Sequence, residues 1–164
     1  MSRIKSTVDR GKFKNEIHTA LYKSENIKNL LLGDTSGKSA NDIRKLFREH
    51  VKSHLFVDDT ILATESFIFY DVILPTLKSQ IKECRVILYA ICHRDILDDE
   101  NYYVEGYCGN RADILTQMIE DCLINDEETA NSFGIGKLSL DSVDIFNDKK
   151  FYGYMMVFDV PNFR

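Results

Sequence analysis

Residues 84–91 read CRVILYAI, and this run decides the architecture. Its apolar side chains fall on both parities of an extended chain, the pattern of a central strand covered on both faces. Upstream, residues 60–74 are dense in β-branched and aromatic types (Ile61, Phe67, Ile68, Phe69, Tyr70, Val72, Ile73) and stop at Pro75, which predicts a second strand. Residues 76–83 between them are too few and too polar for a crossover helix, so the two strands are expected to be antiparallel neighbours. Downstream, 135–146 and 151–160 read as two further strands joined through Asn147-Asp148-Lys149-Lys150 as a hairpin. In the first of these, apolar parity shifts from Leu138 and Leu140 to Val143 and Ile145, which predicts a β-bulge near Asp141-Ser142.

Outside the strands the periodicity is helical. Phe13, Ile17, Ala20, Leu21, Ile27, Leu30 and Leu31 recur at three- and four-residue steps, with Ser24 placed to cap a second short helix. Residues 33–37 are a turn-rich loop. Ser39 or Asn41 then opens a helix with Ile43, Leu46, Phe47 and Val51 on one face and Arg44, Lys45, Arg48 and Lys52 on the other, the most basic stretch of the chain. Residues 95–109 are acidic and Tyr-rich and read as a long loop. Asn110 suits an N-cap, Asp113 falls at the positive end of the helix dipole, and Ile114, Leu115, Met118, Ile119, Cys122 and Leu123 form an apolar stripe that gives way to an acidic loop at 125–132. The expected fold is α+β: N-terminal helices, a mostly antiparallel or mixed sheet with one amphipathic helix packed on it, and a C-terminal β-hairpin. One domain is expected over 1–164, helical across residues 1–56 and built of sheet plus helix across residues 57–164.

Composition narrows the function. The chain has 164 residues, 44% apolar and 29% charged, and a net charge of −5, which suits a globular domain rather than a disordered one. That balance argues against general nucleic-acid binding and against adhesion to anionic lipid. No apolar run is long enough to span a bilayer, and the basic, polar N-terminus does not read as a secretory signal, so a soluble intracellular domain is expected. Cys84, Cys92, Cys108 and Cys122 form no C-x-x-C pair. Cys84, Cys92 and Cys122 lie in apolar runs and read as buried free thiols, and a Cys92, His93, Cys108 metal cluster lacks a fourth ligand at usable spacing.

Several motifs invite a chemical reading. Gly33-Asp34-Thr35-Ser36-Gly37-Lys38-Ser39 resembles a phosphate-binding P-loop but has three residues between its first Gly and the Gly-Lys pair where four are needed, and it follows a helix rather than a strand. A helix–helix linker is the better reading. Phe133-Gly134-Ile135-Gly136-Lys137 enters a strand, which offers no helix N-terminus to a phosphate. His50 and His54 sit four apart without the carboxylate base of a zincin and read as exposed helix-end residues; His18 and His93 complete the set. Carboxylates gather at Asp58-Asp59, at 95–100 and at Asp126-Glu127-Glu128, in loops where acids ordinarily face water. No catalytic, cofactor-binding or metal-binding residue is assigned, so an enzyme is not expected.

One succession of strings is similar to a known family. It runs from Tyr70-Asp71-Val72 through Arg85-Val86-Ile87-Leu88-Tyr89-Ala90-Ile91-Cys92-His93, Gly109-Asn110-Arg111-Ala112-Asp113-Ile114-Leu115 and Phe133-Gly134-Ile135-Gly136-Lys137-Leu138-Ser139-Leu140 to Phe151-Tyr152-Gly153-Tyr154 and 159–163. In element order it resembles small neck proteins of tailed bacteriophages, in particular the tail-terminator type, over about two-thirds of the chain. The resemblance implies a non-enzymatic virion subunit, without cofactor, assembled in the host cytoplasm into a ring, commonly of six copies. Its partners would be further copies of itself, the tail tube protein and the head-tail connector or stopper, with genomic DNA passing through without specific binding and no membrane. The strings are fold-forming, so no interface residue carries over. The acidic 95–109 loop is longer than that pattern leads one to expect, which keeps a head-closure or connector-adaptor role in the same neck as an alternative. A small nucleotide-binding regulator or enzyme using Gly37-Lys38-Ser39 is the alternative of another class.

Overall fold

A computed structural model describes residues 7–58, 60–61, 63–76, 83–125 and 138–160. Three helices come first: α1 (Thr7–Lys23), α2 (Glu25–Leu32) and α3 (Ala40–His50). The breaks between them are chemical. The Ser24 hydroxyl accepts from the Ile27 amide to start α2, Gly33 ends it at φ 68°, and the Ser39 hydroxyl accepts from the Asp42 amide to start α3. Strand β1 (Val51–Lys52) follows at once, then β2 (Ser66–Thr76) and β3 (Glu83–His93). A single turn, α4 (Arg94–Leu97), leads through a loop to α5 (Arg111–Glu120), which runs on as a π-helical turn over Asp121–Asn125. Strands β4 (Ser139–Asn147) and β5 (Phe151–Asp159) close the described chain.

The strands form a five-stranded sheet of order β1-β2-β3-β5-β4. β2, β3, β5 and β4 pair antiparallel, and β1 pairs parallel with β2 through Val51↔Ile68 and Lys52↔Phe69. The α+β class, the mixed sheet and the C-terminal hairpin are therefore as expected. So is the bulge: Leu140 faces Phe158 and Ser142 faces Val157, which leaves Asp141 as the extra residue and puts Leu140, Val143 and Ile145 on one face. The hairpin turn is tied by Asp148, whose carboxylate accepts from the amides of Lys150 and Phe151, while Arg94 donates to the Asp148 carbonyl from outside.

The main core lies between the helices and one face of the sheet. Phe13, Ile17 and Leu21 of α1, Ile27, Leu30 and Leu31 of α2 and Phe47 of α3 meet Ile68, Tyr70, Val72, Val86, Leu88, Met156 and Phe158, with Leu115, Met118 and Ile119 of α5 closing the far side. The other face is covered only in places. Phe67, Phe69, Ile91 and Phe151 are buried beneath Leu55, Val57, Ile61 and Ala63 of the loop before β2, whereas Ile73, Ile87, Met155 and Val157 on the same face are half-exposed.

That asymmetry corrects the expectation that residues 84–91 form a strand covered on both faces, since Ile87 and Tyr89 on the second face are only half-buried. Other corrections are local. Residues 60–61 and 63–65 do not continue β2, because Ile61 and Ala63 pack as loop residues over the second face. Val51 leaves the α3 stripe to pair with β2, and the helical turn Arg94–Leu97 takes in the first residues of the stretch 95–109 read as loop. Most of the acidic loop at 125–132 and the strand start at 135–137 lie outside the described residues.

Candidate functional site

α1 and the segment that follows α3 run side by side, and a cleft opens between them. Lys14, Asn15 and His18 come from α1, Arg48 from the last turn of α3, and Lys52, Ser53 and His54 from β1 and the residues after it. The cleft has a volume of about 570 Å³, with Tyr70 at its floor and Gly11 in its wall. Helical spacing explains the first wall: positions 11, 14, 15 and 18 share one side of α1, while Phe13, Ile17 and Leu21 turn to the core.

Asp71 lies outside the lining of this cleft and anchors it through Lys14. Its Oδ1 accepts from Lys14 Nζ at 2.7 Å and from Arg10 Nη2 at 2.9 Å, and the Val72 amide donates to the same oxygen. Burial opposes ionisation of Asp71, but these hydrogen bonds and the Lys14 charge outweigh it and hold the carboxyl below its ordinary range. Lys14 also donates to the Ser53 carbonyl at 3.1 Å, and Tyr70 donates to the Lys14 carbonyl at 3.0 Å. Burial, with the Asp71 charge, pushes the Tyr70 phenol up to about 12. Lys14 is thus a neutralised strut that fixes the two walls, and Arg48 and Lys52 supply the open positive charge.

The histidines divide by role. His18 packs edge-on against Phe47 with ring centres 5.3 Å apart, and burial together with the nearby Arg48 charge lowers its pKa. His54 is exposed, and its Nδ1 accepts from the Phe56 amide at 3.2 Å, so its proton sits on Nε2. His93 caps α4, its Nδ1 accepting from the Asp95 amide at 3.1 Å. His50 corrects the exposed helix-end reading: it is 4% exposed, stacked on Phe67, with Nδ1 donating to the Leu46 carbonyl at 2.9 Å and Nε2 hydrogen-bonded to the Glu65 carboxylate. It is a structural rivet between the end of α3 and the start of β2.

Among the described residues, the other sequence candidates do not assemble. In the Gly33 to Ser39 loop, Ser36 N–H donates to Asp34 Oδ1 at 2.9 Å and Lys38 N–H to the Thr35 carbonyl, so these two amides are taken, and Ser39 Oγ accepts from the Asp42 amide as the cap of α3. The shallow groove beside Lys38 is lined by Asp42 and Glu49 as well as Lys45, a mixed lining that does not suit a phosphate. Asp58 accepts from the Thr60 amide and Asp99 from the Asn101 amide, so these acids close turns. Asp59, Gly134, Gly136 and Asp126-Glu127-Glu128 lie outside the described residues. Cys84, Cys92 and Cys122 are buried as expected and Cys108 is exposed. Burial pushes the Cys84 thiol up to about 12 and the Cys92 thiol up to about 11. Among the described residues no group of three or more His, Cys, Asp or Glu could hold a metal ion, and no helix is long and apolar enough to cross a membrane.

A second feature is the β4 edge of the sheet, whose outer side no described strand pairs. On β4, Val143 is 46% and Ile145 67% exposed, on the face shared with half-buried Leu140. The helices that cover the neighbouring strands on that face leave these side chains bare. The basic lining was half legible in sequence, since Arg48 and Lys52 stand in the most basic stretch, but nothing local signals that Lys14 and His18 stand opposite.

A family model described as YomW matches residues 15–160, from the middle of α1 to the residue after β5. No curated protein matches the chain.

Proposed function

The chain belongs to the YomW family, and on that premise we propose that it is a structural subunit of a tailed-phage neck. In this reading several copies close a ring that ends the tail tube and joins it to the head connector. Family membership is consistent with a phage origin. The single observation that carries the ring is the β4 edge of the sheet. There a strand that no other described strand pairs on its outer side carries Val143 and Ile145 as exposed apolar side chains, a surface that ordinary monomers blunt or cover. The opposite edge, β1, is two residues long, so in this reading β4 meets a different surface of the next copy, the heterologous type of contact that closes rings, whereas β4 against a second β4 would stop at a two-fold dimer. The net charge of −5 suits a channel that passes DNA without gripping it.

Mass in solution tests this directly. Light scattering over a concentration series should show a hexamer-sized species, or a monomer that forms rings only when tail-tube ends are added. Val143→Asp with Ile145→Asp should abolish assembly while the circular dichroism spectrum is kept. A protein that stays monomeric at every concentration and ignores tube and connector proteins overturns the reading. Capping of growing tubes separates a terminator from a head-closure protein, because only the terminator stops tube growth.

A further inference from the structure

We propose that the cleft between α1 and the segment after α3 binds a phosphate group, held by Arg48 and Lys52. The inference is independent of ring formation. Its first support is the one-sided lining: Lys14, Arg48, Lys52, His18 and His54 with no carboxylate, in a chain that carries 26 acidic and 21 basic residues. Arg48 and Lys52 make no ion pair with any described residue, whereas Arg10 and Lys14 beside them converge on Asp71. Two like charges held on one concavity without a counter-ion repel each other, and an anion relieves that repulsion.

The second support is the donor set. Arg48 offers a planar fork and Lys52 a point charge, the two complementary ways in which side chains hold a phosphate. His54 has its proton on Nε2, because Nδ1 accepts from the Phe56 amide, so even neutral it has a donor to give. Asn15 adds an amide and Ser53 a hydroxyl to the same lining. The third support is rigidity. Lys14 bridges from α1 to the Ser53 carbonyl and to Asp71, and Tyr70 holds the Lys14 carbonyl from the floor. The walls are therefore set before a ligand arrives, which lowers the ordering cost of binding.

Phosphate groups reach such a cleft on small molecules or on a nucleic-acid backbone, and calorimetry with three probes separates these sources. The full chain is titrated with inorganic phosphate, with a nucleoside monophosphate and with a short DNA duplex. Saturable binding of either small probe, weakened about tenfold by Arg48→Ala or Lys52→Ala and retained by Lys52→Arg, supports the site with a small-molecule ligand. Saturation by duplex alone, with the same loss on substitution, supports it with a backbone phosphate and counts against a channel that passes DNA without gripping it. Arg48 is exposed on its helix and Lys52 half-buried, so circular dichroism should be unchanged in all variants. Absence of saturation by every probe up to about 10 mM, or binding that survives the double Ala substitution, overturns the proposal. Preference for an acidic peptide spanning 95–105 over all three probes also overturns it, and makes the cleft a protein contact.

Discussion

Gly153 of β5 lies so close to Ala90 of β3 that a Cβ on Gly153 would meet the Ala90 carbonyl oxygen at 1.9 Å. The gap is spanned from the side: Phe146, the β4 partner of Gly153, reaches across to Tyr89 with ring centres 5.0 Å apart. Gly153→Ala should therefore lower stability by about 1–3 kcal/mol, since backbone rather than a flexible side chain must move. Thermal unfolding checks this, and an unchanged midpoint would show that β3 and β5 separate freely.

Asp113 does two jobs at the start of α5. One oxygen accepts from the Asn110 amide to complete a capping box, and the other accepts from the Tyr154 hydroxyl at 2.5 Å. That hydrogen bond, with burial, pushes the Tyr154 phenol well above its ordinary value. Asn110→Ala should cost about 1 kcal/mol and Asp113→Ala about 2 kcal/mol, because only the latter also strands the tyrosine. Urea unfolding gives both numbers; equal losses would show that the Tyr154 contact contributes nothing.

Acid should weaken the fold in two steps. The folded pKa of His18 is lowered from 6.5, so its contribution is present above that value and is lost as pH falls through the folded value, the unfolded chain taking the proton first. The folded pKa of Asp71 is lowered from 3.8, so its contribution is present above pH 3.8 and disappears as pH falls further. Unfolding free energy measured against pH should lose the first step in His18→Gln and the second in Asp71→Asn. A flat profile through both windows would contradict these assignments.

Thiol chemistry should be selective. Cys108 is exposed, while burial holds the Cys84 and Cys92 thiols protonated and Cys122 Sγ lies against the Ala20 carbonyl. A disulfide reagent at pH 8 should label one thiol per native chain and four after denaturation, with Cys108→Ser removing the native signal. Fast labelling of a second thiol would mean that α5 or β3 opens readily.

Gly11 sits inside α1, and a Cβ there meets nothing within 4 Å. Gly11→Ala should raise stability by about 0.5–1 kcal/mol through helix propensity alone. A loss instead would mean that the cleft wall at this point is in contact with something in solution.

What could be read in advance was local or periodic. The caps at Ser24, Ser39 and Asn110 depend on three-residue spacings, and the bulge at Asp141 shows in the parity of Leu140 and Val143. β1 escaped because two residues have no period, and its pairing with Ile68 and Phe69 is a tertiary event. The stretch just before β2 misled because Ile61 and Ala63 look continuous with the strand yet are buried by covering Phe67 and Phe69 as loop. His50 looked exposed because nothing near it in sequence announces Glu65. The cleft was hidden for the same reason, as its walls come from α1 and from the residues after α3.

The placement of β5 has a consequence for synthesis. It is the last described strand to leave the ribosome, yet it lies inside the sheet, with β3 on one side and β4 on the other. A nascent chain that has emerged through Asn147 therefore holds β3 and β4 each without the described strand that pairs them, β5. Val86, Leu88 and Ala90 wait for Phe158, Met156 and Tyr154 before their side of the core can seal. The helices and the β2–β3 pair gather early, but protection against proteolysis must arrive late and abruptly, with the emergence of a single nine-residue segment.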